Sequence, residues 1–164
     1  MHPSFRFIVL GLLASAFTVL LLKRAQAGDD DYFPPVTDKA TLQECGSCHL
    51  AFPPSMLPAA SWKRMMAGLE DHFGDDASVD AGTAATITRY LVRNAGDARD
   101  ARRDGRLLRG LDPNAAPLRI TELPKWRREH RKVARSDWTS KEVGTKANCA
   151  GCHVDAAQGY FDDE

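Results

Sequence analysis

Cysteine and histidine recur together twice in this 164-residue chain, as Cys45-Gly46-Ser47-Cys48-His49 and as Cys149-Ala150-Gly151-Cys152-His153. Both read C-x-x-C-H, the spacing of covalent c-type haem attachment. Two thiols three residues apart on a turning backbone reach the two vinyl groups of one porphyrin, and the imidazole that follows is directed at the iron. The two copies use all four cysteines of the chain. A thioredoxin-like redox pair also reads C-x-x-C but needs a strand–helix–strand setting. A four-cysteine zinc site would have to join halves about a hundred residues apart, far beyond ribbon spacing. Neither accounts for a histidine directly after each pair. Two haem c groups are therefore expected, held through thioethers at Cys45, Cys48, Cys149 and Cys152.

Each iron has a second axial position to fill. From residue 28 onward the chain contains four histidines, His49, His72, His130 and His153. Two are adjacent to the cysteine pairs, so two remain for two irons. His72 falls at helical spacing with Trp62, Met65 and Leu69, and His130 with Trp126 and Val133, which turns each imidazole toward an apolar face. Pairing by chain proximity gives His49 and His72 to the first haem and His153 and His130 to the second; spacing alone leaves a crossed pairing open. Met56, Met65 and Met66 are competing ligands for the first iron, but methionine at helical spacing more often fills a core. Trp62, Phe73 and Trp126 are candidate porphyrin walls or ordinary core aromatics.

The elements that must position these groups read as helical. Ser61 to Phe73 has helical periodicity with Gly74 as its stop. Ser78 or Asp80 caps a second helix through Ile87, Leu91 and Ala95 to Gly96. A third opens at Pro124, a residue suited to a first turn. Thr41-x-x-Glu44 has the form of a capping box ahead of the first cysteine pair. Pro53, Pro54 and Pro58 mark a loop. Only Leu118 to Thr121 hints at extended chain. The expected fold is mainly α, a small helical c-type cytochrome with long loops and little or no β.

Phe7 to Leu22 is an uncharged, mostly apolar run of 16 residues behind a short basic start, leading to Ala25-Gln26-Ala27. This reads as a secretory signal peptide over residues 1–27, with a single exported domain over 28–164. Sixteen helical residues rise about 24 Å, short of a hydrocarbon core of roughly 30 Å. Lys23 and Arg24 behind the run would also suit an uncleaved anchor, in which case the domain stays membrane-attached. Export explains why the cysteines must be committed, since free thiol pairs are oxidised outside the cytoplasm.

Positive and negative charges balance at 22 each, but the leader holds Arg6, Lys23 and Arg24 and no acid, so the exported part is slightly acidic. That argues against a nucleic-acid partner. Charge is segregated along the chain: residues 28–88 carry 3 basic against 10 acidic groups, 89–141 carry 15 against 7, and 142–164 carry 1 against 5. The stretch Arg99 to Arg109 reads as a solvated helix face, or as a docking patch or a set of haem-propionate partners.

The run Glu44 to Pro54, Leu57-Pro58, Ser61-Trp62, Met66 to Leu69, His72-Phe73-Gly74-Asp75-Asp76-Ala77-Ser78, Arg119-Ile120-Thr121, Arg128-Glu129-His130 and Asn148-Cys149 through His153 together resemble the small periplasmic dihaem cytochrome c family of proteobacteria. The resemblance implies a helical periplasmic electron carrier with two bis-histidine haems. His49 and His153 would be the proximal ligands, and His72 and His130 the distal ones. It further implies a small soluble oxygen-binding monohaem cytochrome c as electron acceptor and a membrane cytochrome b as donor.

Bis-imidazole iron has no vacant coordination position, so no small-molecule substrate is expected and the protein is read as an electron carrier, not an enzyme. Imidazole in place of a thioether also sets a low potential. The alternative is a peroxidase-like haem enzyme or gas sensor in which His72 or His130 dissociates.

Overall fold

Short helices joined by loops make up the architecture. A computed structural model describes residues 32–98 and 104–162, and Phe33–Glu164 form one compact unit. The expected leader, its boundary at residue 27 and the first part of the Arg99–Arg109 stretch lie outside the described residues. The α-helices are α1 (Lys39–Cys45), α2 (Ala59–Met66), α3 (Ala81–Arg93), α4 (Pro124–Glu129) and α5 (Arg135–Trp138), interspersed with 3₁₀ turns. No strand forms among the described residues, so Leu118–Thr121 is not one: Arg119 is extended and Ile120–Glu122 closes into a 3₁₀ turn.

Side-chain caps set the helix starts, because the first N–H groups of a helix have no partner within it. Asp38 opens α1, its Oδ1 accepting from the Thr41 amide at 2.8 Å and the Thr41 hydroxyl at 2.7 Å. Thr41 is thus a donor inside the helix and not the head of a capping box. Asp80 opens α3 in the same way, accepting from the amides of Gly82 and Thr83 and from the Thr83 hydroxyl. Pro58 precedes α2 and cannot cap it. The carboxylate of Asp97, 38 residues on, accepts from the Ala59 amide at 2.7 Å instead.

The helix expected over Ser61–Phe73 stops early. α2 ends at Met66, Gly68 leaves helical backbone at φ −133° and ψ 34°, and Leu69–Asp71 forms a 3₁₀ turn. α3 ends at Arg93, so Gly96 is not its stop. Gly96 is required for another reason: a Cβ there would collide with the Ser55 carbonyl, where the two loops cross.

α2 packs across α3. Trp62, Ile87 and Leu91 meet Phe33, Met56, Leu57, Leu123 and Trp126 in one apolar core. The Trp62 indole N–H donates to the Pro54 carbonyl at 2.7 Å, so the proline-rich loop is fastened to this core. At the other end the Phe33 amide donates to the Gly159 carbonyl at 2.8 Å, and Phe33 meets Phe161 edge to face at 5.7 Å between centroids. These contacts tie the last described segment to the first.

Candidate functional site

The first C-x-x-C-H hangs from the end of α1. Cys45 is the final helical residue, and the Ser47 hydroxyl donates to the Glu44 carbonyl at 2.8 Å, which turns the chain. His49 follows, its Nδ1–H donating to the Leu50 carbonyl at 2.7 Å and its ring stacked on Phe52 at 5.1 Å. Across from it stands His72, at 6.2 Å between ring centroids and 18° between planes.

His72 reaches this place from a turn and not from a helix face. The His72 amide donates to the Asp75 carbonyl at 2.7 Å, and the Asp75 amide returns to the His72 carbonyl at 3.4 Å. Between them Phe73 and Gly74 both have positive φ, 60° and 106°. Two positive φ values in a two-residue loop mark a type I′ turn.

The second motif folds into a 3₁₀ turn over Cys149–Gly151, and the His153 amide donates to the Cys149 carbonyl at 2.8 Å. His153 Nδ1–H donates to the Asp162 carbonyl at 3.2 Å. His130 lies 6.1 Å away, its plane at 75° to that of His153. It follows directly after α4, where its Nδ1–H donates to the Trp126 carbonyl at 2.9 Å and its ring stacks on the Trp126 indole at 4.2 Å and 13°. Trp138 from α5 closes a further side at 5.9 Å.

The structure therefore brings His49 to His72 and His130 to His153, and the crossed pairing is not formed. These spacings fit a haem iron. Two imidazoles bound on opposite sides of one metal, with metal–nitrogen bonds of about 2.0 Å, stand roughly 6 Å apart between ring centres. Donation of one ring nitrogen to a carbonyl, which occurs at His49, His130 and His153, leaves the other as a metal ligand and fixes the ring orientation. Burial, then the charges of His49 and Arg119, push the His72 imidazole below its usual range, against the pull of Asp75. A neutral imidazole is the ligating form.

Cys45 and Cys149 are partly buried, while Cys48 and Cys152 are exposed. Burial, reinforced by Glu44, pushes Cys45 up; burial raises Cys149 to about 11, with its own backbone hydrogen bond opposing and Cys152 adding to the rise. Reactive thiols and thiolate metal sites have lowered values instead. No cluster of three or more His, Cys, Asp or Glu that could hold a metal ion forms among the described residues. No four-cysteine zinc site is assembled among the described residues.

A cavity of about 780 Å³ opens beside the first motif, lined by Cys45, Cys48, His49 and His72 and reaching Cys149. Such a volume suits a sizeable apolar cofactor, and its extent makes the two haem sites neighbours. Trp62, Phe73 and Trp126 all line it. Met65 and Met66 do so too, whereas Met56 is buried in the core, 3% exposed.

Sequence reading missed several contributors. The Arg119 guanidinium lies 3.8 Å from the centre of the Phe73 ring, and Lys146 approaches Trp138 at 5.5 Å and Trp126 at 6.0 Å. Trp138 sits on a four-residue helix, too short to show a periodicity.

A helical chain that gathers two C-x-x-C-H motifs, each facing a second imidazole, defines a multihaem c-type cytochrome. A sequence profile described as dihaem cytochrome c matches residues 41–161, and the chain belongs to that family. It therefore carries two haem c groups and serves electron transfer through them. The fold is similar to that of the dihaem cytochrome c from Rhodobacter sphaeroides, with 43% identity over 78% of this chain and 99% of that one and a TM-score of 0.71. A second structure, of the protein purified from the same organism, gives 39% identity, 77% and 99% coverage and a TM-score of 0.64. A dihaem cytochrome c from Shewanella baltica gives 35% identity, 76% and 86% coverage and 0.62. Comparison with curated protein sequences finds no match.

Proposed function

We propose that the protein is a periplasmic shuttle for single electrons, with both haems ligated by two histidines and poised at low potential. The observation that carries this reading is the pair of imidazole spacings, 6.2 Å and 6.1 Å, each beside a cysteine pair. His49 and His72 hold the first iron; His153 and His130 hold the second. The thioethers come from Cys45 and Cys48, and from Cys149 and Cys152. A haem so ligated supplies one-electron exchange without a vacant position for substrate.

The chain's own part is to keep ligands still. Carbonyls of Leu50, Trp126 and Asp162 hold three imidazoles in one tautomer, and hydrogen bonding to the outer nitrogen makes each a stronger donor. Stronger imidazole donation favours ferric iron, which lowers the potential. A small soluble monohaem cytochrome c is the proposed acceptor and a membrane cytochrome b the proposed donor, met in brief encounters steered by charge. A leader over residues 1–27 directs export in this reading, and the protein works as an electron carrier without catalysis of its own.

The test is the visible spectrum of the holoprotein, oxidised and reduced, with carbon monoxide added last. Two low-spin haems without a methionine–iron band and without a carbon monoxide shift are expected. His72→Ala turns one haem high spin and leaves the other unchanged; an unaltered spectrum rejects His72 as a ligand.

A further inference from the structure

Three of the four paired imidazoles are fastened through Nδ1 to a backbone carbonyl. His72 has no such partner among the described residues. Outer-sphere hydrogen bonds of this kind orient metal-bound histidines, and at His72 a ring contact takes that place. Its ring instead meets that of Phe73 at 4.8 Å, and Phe73 lies under the Arg119 guanidinium at 3.8 Å.

Phe73 is an unusual residue for its place. It is the only non-glycine with positive φ among the described residues, at 60°, a conformation that a bulky side chain adopts at a cost and Asn or Gly adopts readily. Strained residues that persist at ligand clamps do so where surrounding contacts impose them. Here those contacts are the two hydrogen bonds of the turn and the cation on the ring. Arg119 lines the same cavity as His49, His72 and Phe73.

We propose that Arg119 and Phe73 form a stacked clamp that positions His72 in place of a carbonyl hydrogen bond, and that it is the first iron whose distal ligand gives way to an external diatomic ligand once the clamp is lost. The inference rests on the bis-histidine reading above. Arg119 and Phe73 are positioning residues, acting through His72. When the clamp is removed, the bond from iron to His72 Nε2 breaks and the external ligand takes its place, with no change in the iron's charge.

The experiment is the visible spectrum of the reduced holoprotein under saturating carbon monoxide, where a shift requires departure of a distal imidazole. The wild type should show no shift, whereas Arg119→Gln should shift at one haem of the two. Phe73→Asn, which suits the turn but removes the ring, should do the same. Arg119→Lys keeps a cation over the ring and should remain without a shift, as the wild type does. Arg131→Gln, beside His130, should change nothing. An Arg119→Gln spectrum that carbon monoxide leaves unmoved, or an equal shift in Arg119→Lys and Arg119→Gln, overturns the clamp. His72→Ala separates the two readings. If that variant turns one haem high spin while Arg119→Gln behaves as wild type, only the clamp falls; if it leaves both haems low spin, the bis-histidine reading falls with it.

Discussion

At the scale of the residue, the four histidines differ in what holds them, and those differences outweigh their identical chemistry. His130 is the most constrained: a carbonyl fixes its outer nitrogen, the Trp126 indole lies flat on it, and Trp138 stands beside it. Trp126 is itself 9% exposed and part of the core, so it joins packing to ligand orientation. Trp126→Ala should cost about 3–5 kcal/mol of stability. It should also perturb the spectrum of the second haem while leaving the first in place. Trp126→Phe should cost less than half as much. Chemical denaturation of the holoproteins, followed in the haem absorbance and by circular dichroism, checks both, and equal losses for the two variants would show that the indole's stacking area is irrelevant.

At the scale of the element, helices of 4 to 13 residues have too few internal hydrogen bonds to stand alone. Their ends matter accordingly. Asp80 starts α3, whose Ile87 and Leu91 are fully buried against α2. Hydrogen bonds from the Thr83 side chain and amide hold the Asp80 carboxyl below its usual range. A carboxyl with a lowered folded pKa gives stability that is whole above its unfolded value near 3.9 and fades as pH falls through the folded one. Asp80→Ala should therefore lower the melting temperature by a few degrees at pH 7, and the gap to the wild type should narrow below about pH 4. Thermal melts across that range check it; a gap independent of pH would remove the ionised cap as its cause. These element ends also show where sequence reading worked. Asp80 was one of two expected caps and Pro124 opens α4, because both act locally. The helix through His72 was misread because Trp62, Met65, Leu69 and His72 keep helical spacing while Gly68 breaks the backbone between them. Periodicity reports the burial of a face and is blind to such a break.

At the scale of the whole molecule, the two distal ligands sit in opposite charge. Residues 69–80 around His72 carry five carboxylates, Glu70, Asp71, Asp75, Asp76 and Asp80, and no cation; residues 125–146 around His130 carry eight basic groups against three acidic ones. All five carboxylates are exposed, as are Arg127, Arg128 and Arg131. Fields of this kind concentrate oppositely charged reactants and are screened by salt. Oxidation of the reduced protein by a cationic cobalt complex should slow as ionic strength rises, and Asp71→Asn/Asp75→Asn/Asp76→Asn should remove most of that dependence. For ferricyanide the same should hold of Arg127→Gln/Arg128→Gln/Arg131→Gln. Stopped-flow rates over a salt series check the pair, and a dependence untouched by either set would place the reactive surfaces elsewhere. The sequence by itself determined the cofactor class, the number of haems, the helical class of the fold and the candidate ligands, since cysteine and histidine spacing is a property of the local chain. Tertiary structure decided which imidazole faces which, that three are anchored by carbonyls, and that the fourth is held through Phe73 and Arg119. The imidazole pairs join residues 23 positions apart and the Phe73–Arg119 contact spans 46, and no local pattern encodes a meeting made only when the core closes.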